Sequence, residues 1–107
     1  MGKRRDGLDI VADVLKVAIE GAGKTRIMYR ANLSYKLLGK YLEATVKRGF
    51  LRSDGPRFEL TESGKDFLER YDRFNDQYLK VQGSLKDLNG ERQTLQRLCR
   101  ESETKIE

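Results

Sequence analysis

Residues 25–60 read TRIMYRANLSYKLLGKYLEATVKRGFLRSDGPRFEL, and the order of signals in this stretch decides the fold. Ile27, Met28 and Ala31 supply the inward side of a short helix over Thr25–Ala31, with Thr25 as its N-cap. Asn32 stops that helix, because asparagine accepts a positive φ. Ser34 caps the next helix, Tyr35–Arg48, whose apolar stripe is Leu37, Leu38, Tyr41, Leu42, Thr45 and Val46. The Asn32-Leu33-Ser34 link is short enough for a helix-turn-helix. Gly49 closes the helix. Phe50–Ser53 and Arg57–Leu60 are two short extended runs, and Asp54-Gly55-Pro56 between them is a turn signal. Phe58 and Leu60 alternate with Arg57 and Glu59, so one face of the hairpin is buried and one is wet.

Upstream, Leu8–Glu20 carries Ile10, Val11, Val14, Leu15 and Ala18 on one helical face, and Gly21 and Gly23 end it. Residues 1–7, with Lys3, Arg4 and Arg5, read as a flexible basic arm. The order is therefore three helices and a β-hairpin, over residues 8–61. That is the winged helix-turn-helix arrangement, a mostly α fold whose third helix enters the DNA major groove and whose wing touches flanking backbone.

Downstream, Thr61 caps a long helix, and residues 62–107 carry a heptad ladder. The a positions are Tyr71, Tyr78, Leu85, Arg92, Cys99 and Ile106; the d positions are Phe67, Phe74, Val81, Leu88, Leu95 and Ser102. Most are apolar, and their alternating spacing keeps one narrow stripe toward a partner helix. A helix from Glu62 to Ile106 spans roughly 65–70 Å at 1.5 Å per residue. Nothing else in 107 residues is large enough to cover that stripe, so it predicts a homodimer joined by a coiled coil. Gly83 and Gly90 fall at position f, away from the seam. The register crosses Asn89-Gly90 without a skip, which predicts a continuous helix; a helical hairpin turning there is the alternative.

The ladder also carries information on orientation. Phe67, Tyr71, Phe74 and Tyr78 are large, whereas Leu95, Cys99 and Ser102 are smaller. An antiparallel pair sets Tyr71 near Ser102, Phe74 near Cys99 and Tyr78 near Leu95, which evens the packing. The flanking e and g positions are mostly neutral, so charge does not choose.

The net charge of +5 is uneven. Residues 1–61 hold thirteen Lys and Arg against seven Asp and Glu, a net of +6; residues 62–107 hold nine against ten, a net of −1. A basic head on a neutral stalk points to a polyanion, most often nucleic acid. Candidate DNA contacts are Lys24, Arg26 and Arg30 on and before the second helix, and Ser34, Tyr35, Lys36, Lys40 and Lys47 on the third. Arg52 and Arg57 flank the wing tip. Any single lysine among them is equally well a solvated surface cation. Their convergence on elements that share one surface in this arrangement raises the DNA reading above that. The third helix offers no Arg, Asn or Gln on its outward face, which predicts weak sequence preference.

Other classes fit poorly. The chain has no histidine, which removes the commonest general base and metal ligand. Gly21-Ala22-Gly23-Lys24-Thr25 imitates the end of a P-loop but follows a helix and lacks the upstream glycine. An enzyme is not expected, and no cofactor or metal. Cys99 is the single cysteine, so no intrachain disulfide forms, and a reducing compartment is expected. No signal peptide or membrane-length apolar run is visible, giving a soluble, cytoplasmic, nucleoid-associated expectation with no membrane partner. A winged-helix adaptor for an acidic protein, a site-specific regulator and an RNA binder are the competing functional readings.

The segment Lys24-Thr25-Arg26-Ile27-Met28-Tyr29-Arg30-Ala31-Asn32-Leu33-Ser34-Tyr35 strongly resembles one in a family of small basic archaeal chromatin-type DNA-binding proteins. Phe58-Glu59-Leu60-Thr61-Glu62-Ser63-Gly64 is similar to the wing-to-helix junction of that family and of many winged helices. The resemblance implies a winged helix dimerised by a long C-terminal antiparallel coiled coil. It also implies duplex DNA bound by the homodimer, in a nucleoid-architectural or regulatory role. Phe67, Tyr71, Phe74, Tyr78, Val81, Leu85, Leu88, Leu95 and Cys99 are the candidate dimerisation residues. Gly83, Gly90, Arg92 and Ser102 make the ladder looser than an ideal one.

Overall fold

A computed structural model of the chain describes residues 5–106, with side chains described for residues 5–100. The chain forms α1 (Gly7–Val17), β1 (Ala22–Gly23), α2 (Lys24–Arg30), α3 (Tyr35–Lys47), β2 (Leu51–Asp54), β3 (Arg57–Leu60) and α4 (Glu62–Ile106). It divides into two compact units, Met1–Asp72 and Arg73–Glu107. The first holds the three short helices, the sheet and the first turns of α4. The second is the remainder of α4.

Local chemistry sets the element ends. Asp6 begins α1 with a capping box: its carboxylate accepts from the Asp9 N–H at 2.9 Å, and Asp9 accepts from the Asp6 N–H at 3.2 Å. Asn32 has φ +54° and turns the chain between α2 and α3, in keeping with its residue type. The Ser34 hydroxyl accepts from the Leu37 N–H at 3.2 Å and caps α3. Gly49, at φ +81°, takes the left-handed position just past α3. In the wing, Gly55 at φ +60° precedes Pro56, the pattern a two-residue type II′ hairpin requires. The Thr61 hydroxyl accepts from the Gly64 N–H at 3.1 Å and donates to the Gly49 carbonyl at 2.5 Å, with the Phe50 carbonyl also within reach at 3.0 Å. It thus caps α4 and ties its start to the turn between α3 and β2.

The sheet has three antiparallel strands in the order β1-β3-β2. Ser53 pairs with Phe58 on one side, and Ala22 pairs with Phe58 on the other. The sequence reading has no β1, because a two-residue strand, Ala22-Gly23, carries no periodicity. This strand explains two shifted boundaries. Expected to run to Glu20, α1 ends at Val17, since the Ala18 carbonyl must accept from the Gly21 and Leu60 N–H groups to start the sheet. Expected to begin with Thr25 as its cap, α2 begins at Lys24 with the extended Gly23 as N-cap, because pairing with Arg57 fixes Gly23.

The core lies inside the first unit. Ala12, Val14 and Leu15 of α1 and Ala18 just past its end meet Ile27 of α2 and Leu38 and Leu42 of α3, closed below by Leu51, Phe58 and Leu68. Thr45 is buried and donates its hydroxyl to the Tyr41 carbonyl at 2.7 Å. Leu37, expected in the buried stripe of α3, is instead exposed, whereas Leu33 in the turn is buried. Phe50 and Phe67 pack with ring centroids 4.8 Å apart.

From residue 62, α4 runs without a break through Asn89 and Gly90. A Cβ at Gly83 or Gly90 would meet nothing within 4 Å. Of the expected arm, residues 1–4 lie outside the described residues. Arg5 is held: its guanidinium donates to Asp13 at 2.9 Å, to the Ala31 carbonyl at 2.6 Å and to the Asn32 carbonyl at 2.8 Å.

Candidate nucleic-acid interface

The outward face of α3 is set by what its inward face buries. With Leu38, Leu42 and Thr45 in the core, helical periodicity turns Lys36, Gly39, Lys40, Glu43 and Lys47 to solvent. Lys36 and Lys47 form no ion pair among the described residues. The Lys40 ammonium sits 5.5 Å from the centroid of the Tyr41 ring, an exposed cation–π contact that a phosphate can compete for. Gly39 presents bare backbone in the middle of this face, with nothing within 4 Å of where its Cβ would be.

Other candidates divide by geometry. Lys24 and Arg26 line an open groove of about 560 Å³ with Ser53, Gly55, Pro56 and Phe58, so the start of α2 and the wing share one surface. Arg26 also borders a second hollow with Arg30, Lys16, Ile19 and Glu20, beside the end of α1. Arg30 therefore faces the α1 end of the head. Ser34 is occupied as the α3 cap, and its side chain already holds a backbone donor. Tyr35, the first residue of α3, is 82% exposed.

The two wing arginines are engaged by the protein itself. The Arg52 guanidinium donates to Glu59 across the hairpin at 2.8 Å, and this hydrogen bond, with the carboxylate charge, raises its pKa further. The Arg57 guanidinium donates to the Glu20 and Gly21 carbonyls at 3.2 and 2.9 Å, fastening the wing to the turn before β1. Arg57 is thus committed to the fold, and Arg52 can reach a phosphate only in competition with Glu59.

Tyr29, which is not among the sequence candidates, is 74% exposed on α2. The signal was available: Tyr29 lies two residues from the buried Ile27, about 200° around the helix, so it had to point outward.

On α4, the candidate dimerisation residues fall into two groups. Phe67 and Tyr71 are half-buried against the head, and the Tyr71 hydroxyl donates to Asp9 at 2.6 Å. Burial, followed by this hydrogen bond, pushes the Tyr71 pKa above its ordinary value. From Phe74 the ladder is exposed: Phe74, Tyr78, Val81, Leu85, Leu88 and Leu95 are between 42% and 65% accessible, and Cys99 is exposed. Phe74 and Tyr78 stack with centroids 5.9 Å apart. Among the described residues no group of His, Cys, Asp and Glu could hold a metal ion, and no helix is long and apolar enough to cross a membrane.

A winged helix-turn-helix family model matches residues 4–79, and the chain belongs to that family. Two uncharacterized proteins of Methanocaldococcus jannaschii are similar in sequence. One is 38% identical over 63 residues, which cover 58% of this chain and 65% of that protein. The other is 34% identical over 68 residues, covering 63% of this chain and 32% of that protein. The chain thus spans less than two thirds of either relative. In structure it resembles the crystal structure of Sso10a-2, a DNA-binding protein from Sulfolobus solfataricus, with a TM-score of 0.63 and 28% identity. That likeness covers 78% of this chain and 96% of that one.

Proposed function

We propose that the chain is a homodimeric, non-enzymatic double-stranded DNA-binding protein of nucleoid-architectural or regulatory type. In this reading residues 8–61 form the DNA-binding head and residues 62–107 the dimerisation helix. The observation that carries it is the face of α3, where Lys36, Lys40 and Lys47 stand on one side of a helix whose other side is the core. A protein of this family inserts that helix in the major groove. Likeness to a solved DNA-binding protein supports the same reading.

The groove between Lys24, Arg26 and the wing tip supplies a second line of contact, suited to phosphates flanking the groove that α3 enters. Lysines contact phosphates as point charges and discriminate bases poorly, so the affinity is mostly electrostatic and tolerant of sequence.

The exposed part of the α4 ladder supports the dimer. It runs from Phe74 to Cys99, and its midpoint falls between Leu85 and Leu88. An antiparallel second copy therefore matches Phe74 with Cys99, Tyr78 with Leu95 and Leu85 with Leu88, large against small at each end. Phe67 and Tyr71 serve the head first and border the partner second.

Amide chemical-shift mapping with a duplex of arbitrary sequence tests the interface. Shifts should concentrate in residues 34–47 and at the wing tip around Gly55, and recur with an unrelated duplex. Shifts that spare Lys36, Lys40, Lys47 and the wing tip would reject this mode of binding.

A further inference from the structure

Two of the most exposed large side chains in the head, Tyr29 at 74% and Tyr35 at 82%, bracket the same corner of the fold. Tyr29 lies in the last turn of α2, Tyr35 is the first residue of α3, and only residues 30–34 separate them. Among the described residues neither ring packs on another ring, receives a cation over its face or enters a hydrogen bond. A single exposed tyrosine is ordinary. Two flanking one turn, with Arg26 one helical turn before Tyr29 and Lys36 directly after Tyr35, have the composition of a base-stacking platform.

The corner that carries them is rigid. Ala31 and Leu33 are buried on its inner side, and the Leu33 N–H donates to the Met28 carbonyl at 2.9 Å. Asn32 holds the left-handed turn, and Ser34 caps α3. From below, Arg5 grips the Ala31 and Asn32 carbonyls. The two tyrosines are thus displayed from fixed backbone, which lowers the ordering cost of binding.

We propose that Tyr29 and Tyr35 stack on unpaired nucleobases, so that the head also binds single-stranded segments of nucleic acid. The inference rests on the nucleic-acid reading above and deepens it. Stacking is sequence-tolerant because every base has a π face, and the neighbouring Arg and Lys neutralise the strand's phosphates. A duplex offers those tyrosines only backbone and groove edges; a frayed end, a melted bubble or a free strand offers a face.

The test is an equilibrium titration of the full-length protein with four labelled probes of equal length: oligo(dT), oligo(rU), an abasic DNA strand and a duplex. The account predicts binding to at least one base-bearing strand with quenching of tyrosine fluorescence, and at least tenfold weaker binding to the abasic strand of equal charge. Tyr29→Ala and Tyr35→Ala should each weaken strand binding about 5- to 100-fold, the range for removing one stacked base, while Tyr29→Phe and Tyr35→Phe retain it. The stronger of the dT and rU arms identifies the strand type. Equal affinity for abasic and base-bearing strands, or Ala variants that bind strands like the wild type, would overturn the stacking inference while duplex binding stands. Absence of binding to all four probes at low salt would overturn both this inference and the DNA reading.

Discussion

The guanidinium of Arg5 donates to the main-chain carbonyl of Asn32 at 2.8 Å, joining the start of the chain to the turn of the helix-turn-helix. The same group donates to Asp13 and to the Ala31 carbonyl. A residue that reads in sequence as one more cation of a basic arm therefore ties α1 to the turn between α2 and α3. Arg5→Ala removes three charge-assisted bonds at a half-buried site and should lower stability by about 1–3 kcal/mol. Thermal unfolding followed by circular dichroism measures it. Stability equal to the wild type would show that the corner holds its shape without Arg5.

Tyr71 and Asp9 give a pH-dependent contact. The neutral phenol donates to the carboxylate, and the Tyr71 pKa is raised above its ordinary value near 10. A pKa higher in the folded state means that the contribution is complete below about pH 10 and is lost as pH rises beyond it. Tyr71→Phe should cost roughly 1 kcal/mol at neutral pH and show a shallower loss of stability above pH 10 than the wild type. Parallel denaturant titrations at pH 7 and above pH 10 resolve the two curves. Curves that fall in parallel on the alkaline side would mean that Tyr71 is not the group responsible.

Gly64, in the first turn of α4, has no room for a side chain. A Cβ there would overlap the Phe50 carbonyl oxygen and the Leu60 Cδ1. Backbone on one side and packed leucine on the other leave little freedom to yield. Gly64→Ala should destabilise the head by roughly 1–3 kcal/mol despite the higher helix propensity of alanine, whereas Gly83→Ala, in open space, should stabilise by about 1 kcal/mol. Melting temperatures of the two variants should move in opposite directions; a shared upward shift would contradict the packing at Gly64.

Most of the head was legible from residues 25–60, because caps and turns depend on residue chemistry that acts locally. Ser34, Asn32, Gly49 and Thr61 each perform the role their type suggests. What escaped was non-local. Strand β1 exists only because β3 is beside it, and the roles of Arg5 and Arg57 depend on carbonyls 26 to 37 residues away in sequence. The basic face of α3 was legible, but which cations stay open to solvent was not, since nothing in the sequence distinguishes Lys36, open to solvent, from Arg57, bound to the α1–β1 turn.

The dimer prediction concerns the centre of the exposed ladder. Leu85→Glu with Leu88→Glu places charge in the two middle layers of an antiparallel pair. Each buried leucine contributes about 1.5–3 kcal/mol, so the dimer should weaken by well over a hundredfold. Neither side chain contributes to the core of the head. Sedimentation equilibrium should then report a monomer with intact helical signal in the head. A variant that sediments at the same mass as the wild type would place the dimer contact elsewhere.

The most direct measurement is an equilibrium titration of fluorescent duplex DNA at several salt concentrations, with mass checked in the same buffers, for the wild type and for Lys36→Ala/Lys40→Ala/Lys47→Ala. About seven phosphate contacts per dimer give a slope of log affinity against log salt near −6, shared by duplexes of unrelated sequence. The triple variant should bind more weakly and flatten the slope by about one for each phosphate it no longer neutralises. A folded wild-type protein that ignores duplex DNA at low salt, or a triple variant with an unchanged slope, would contradict binding through α3.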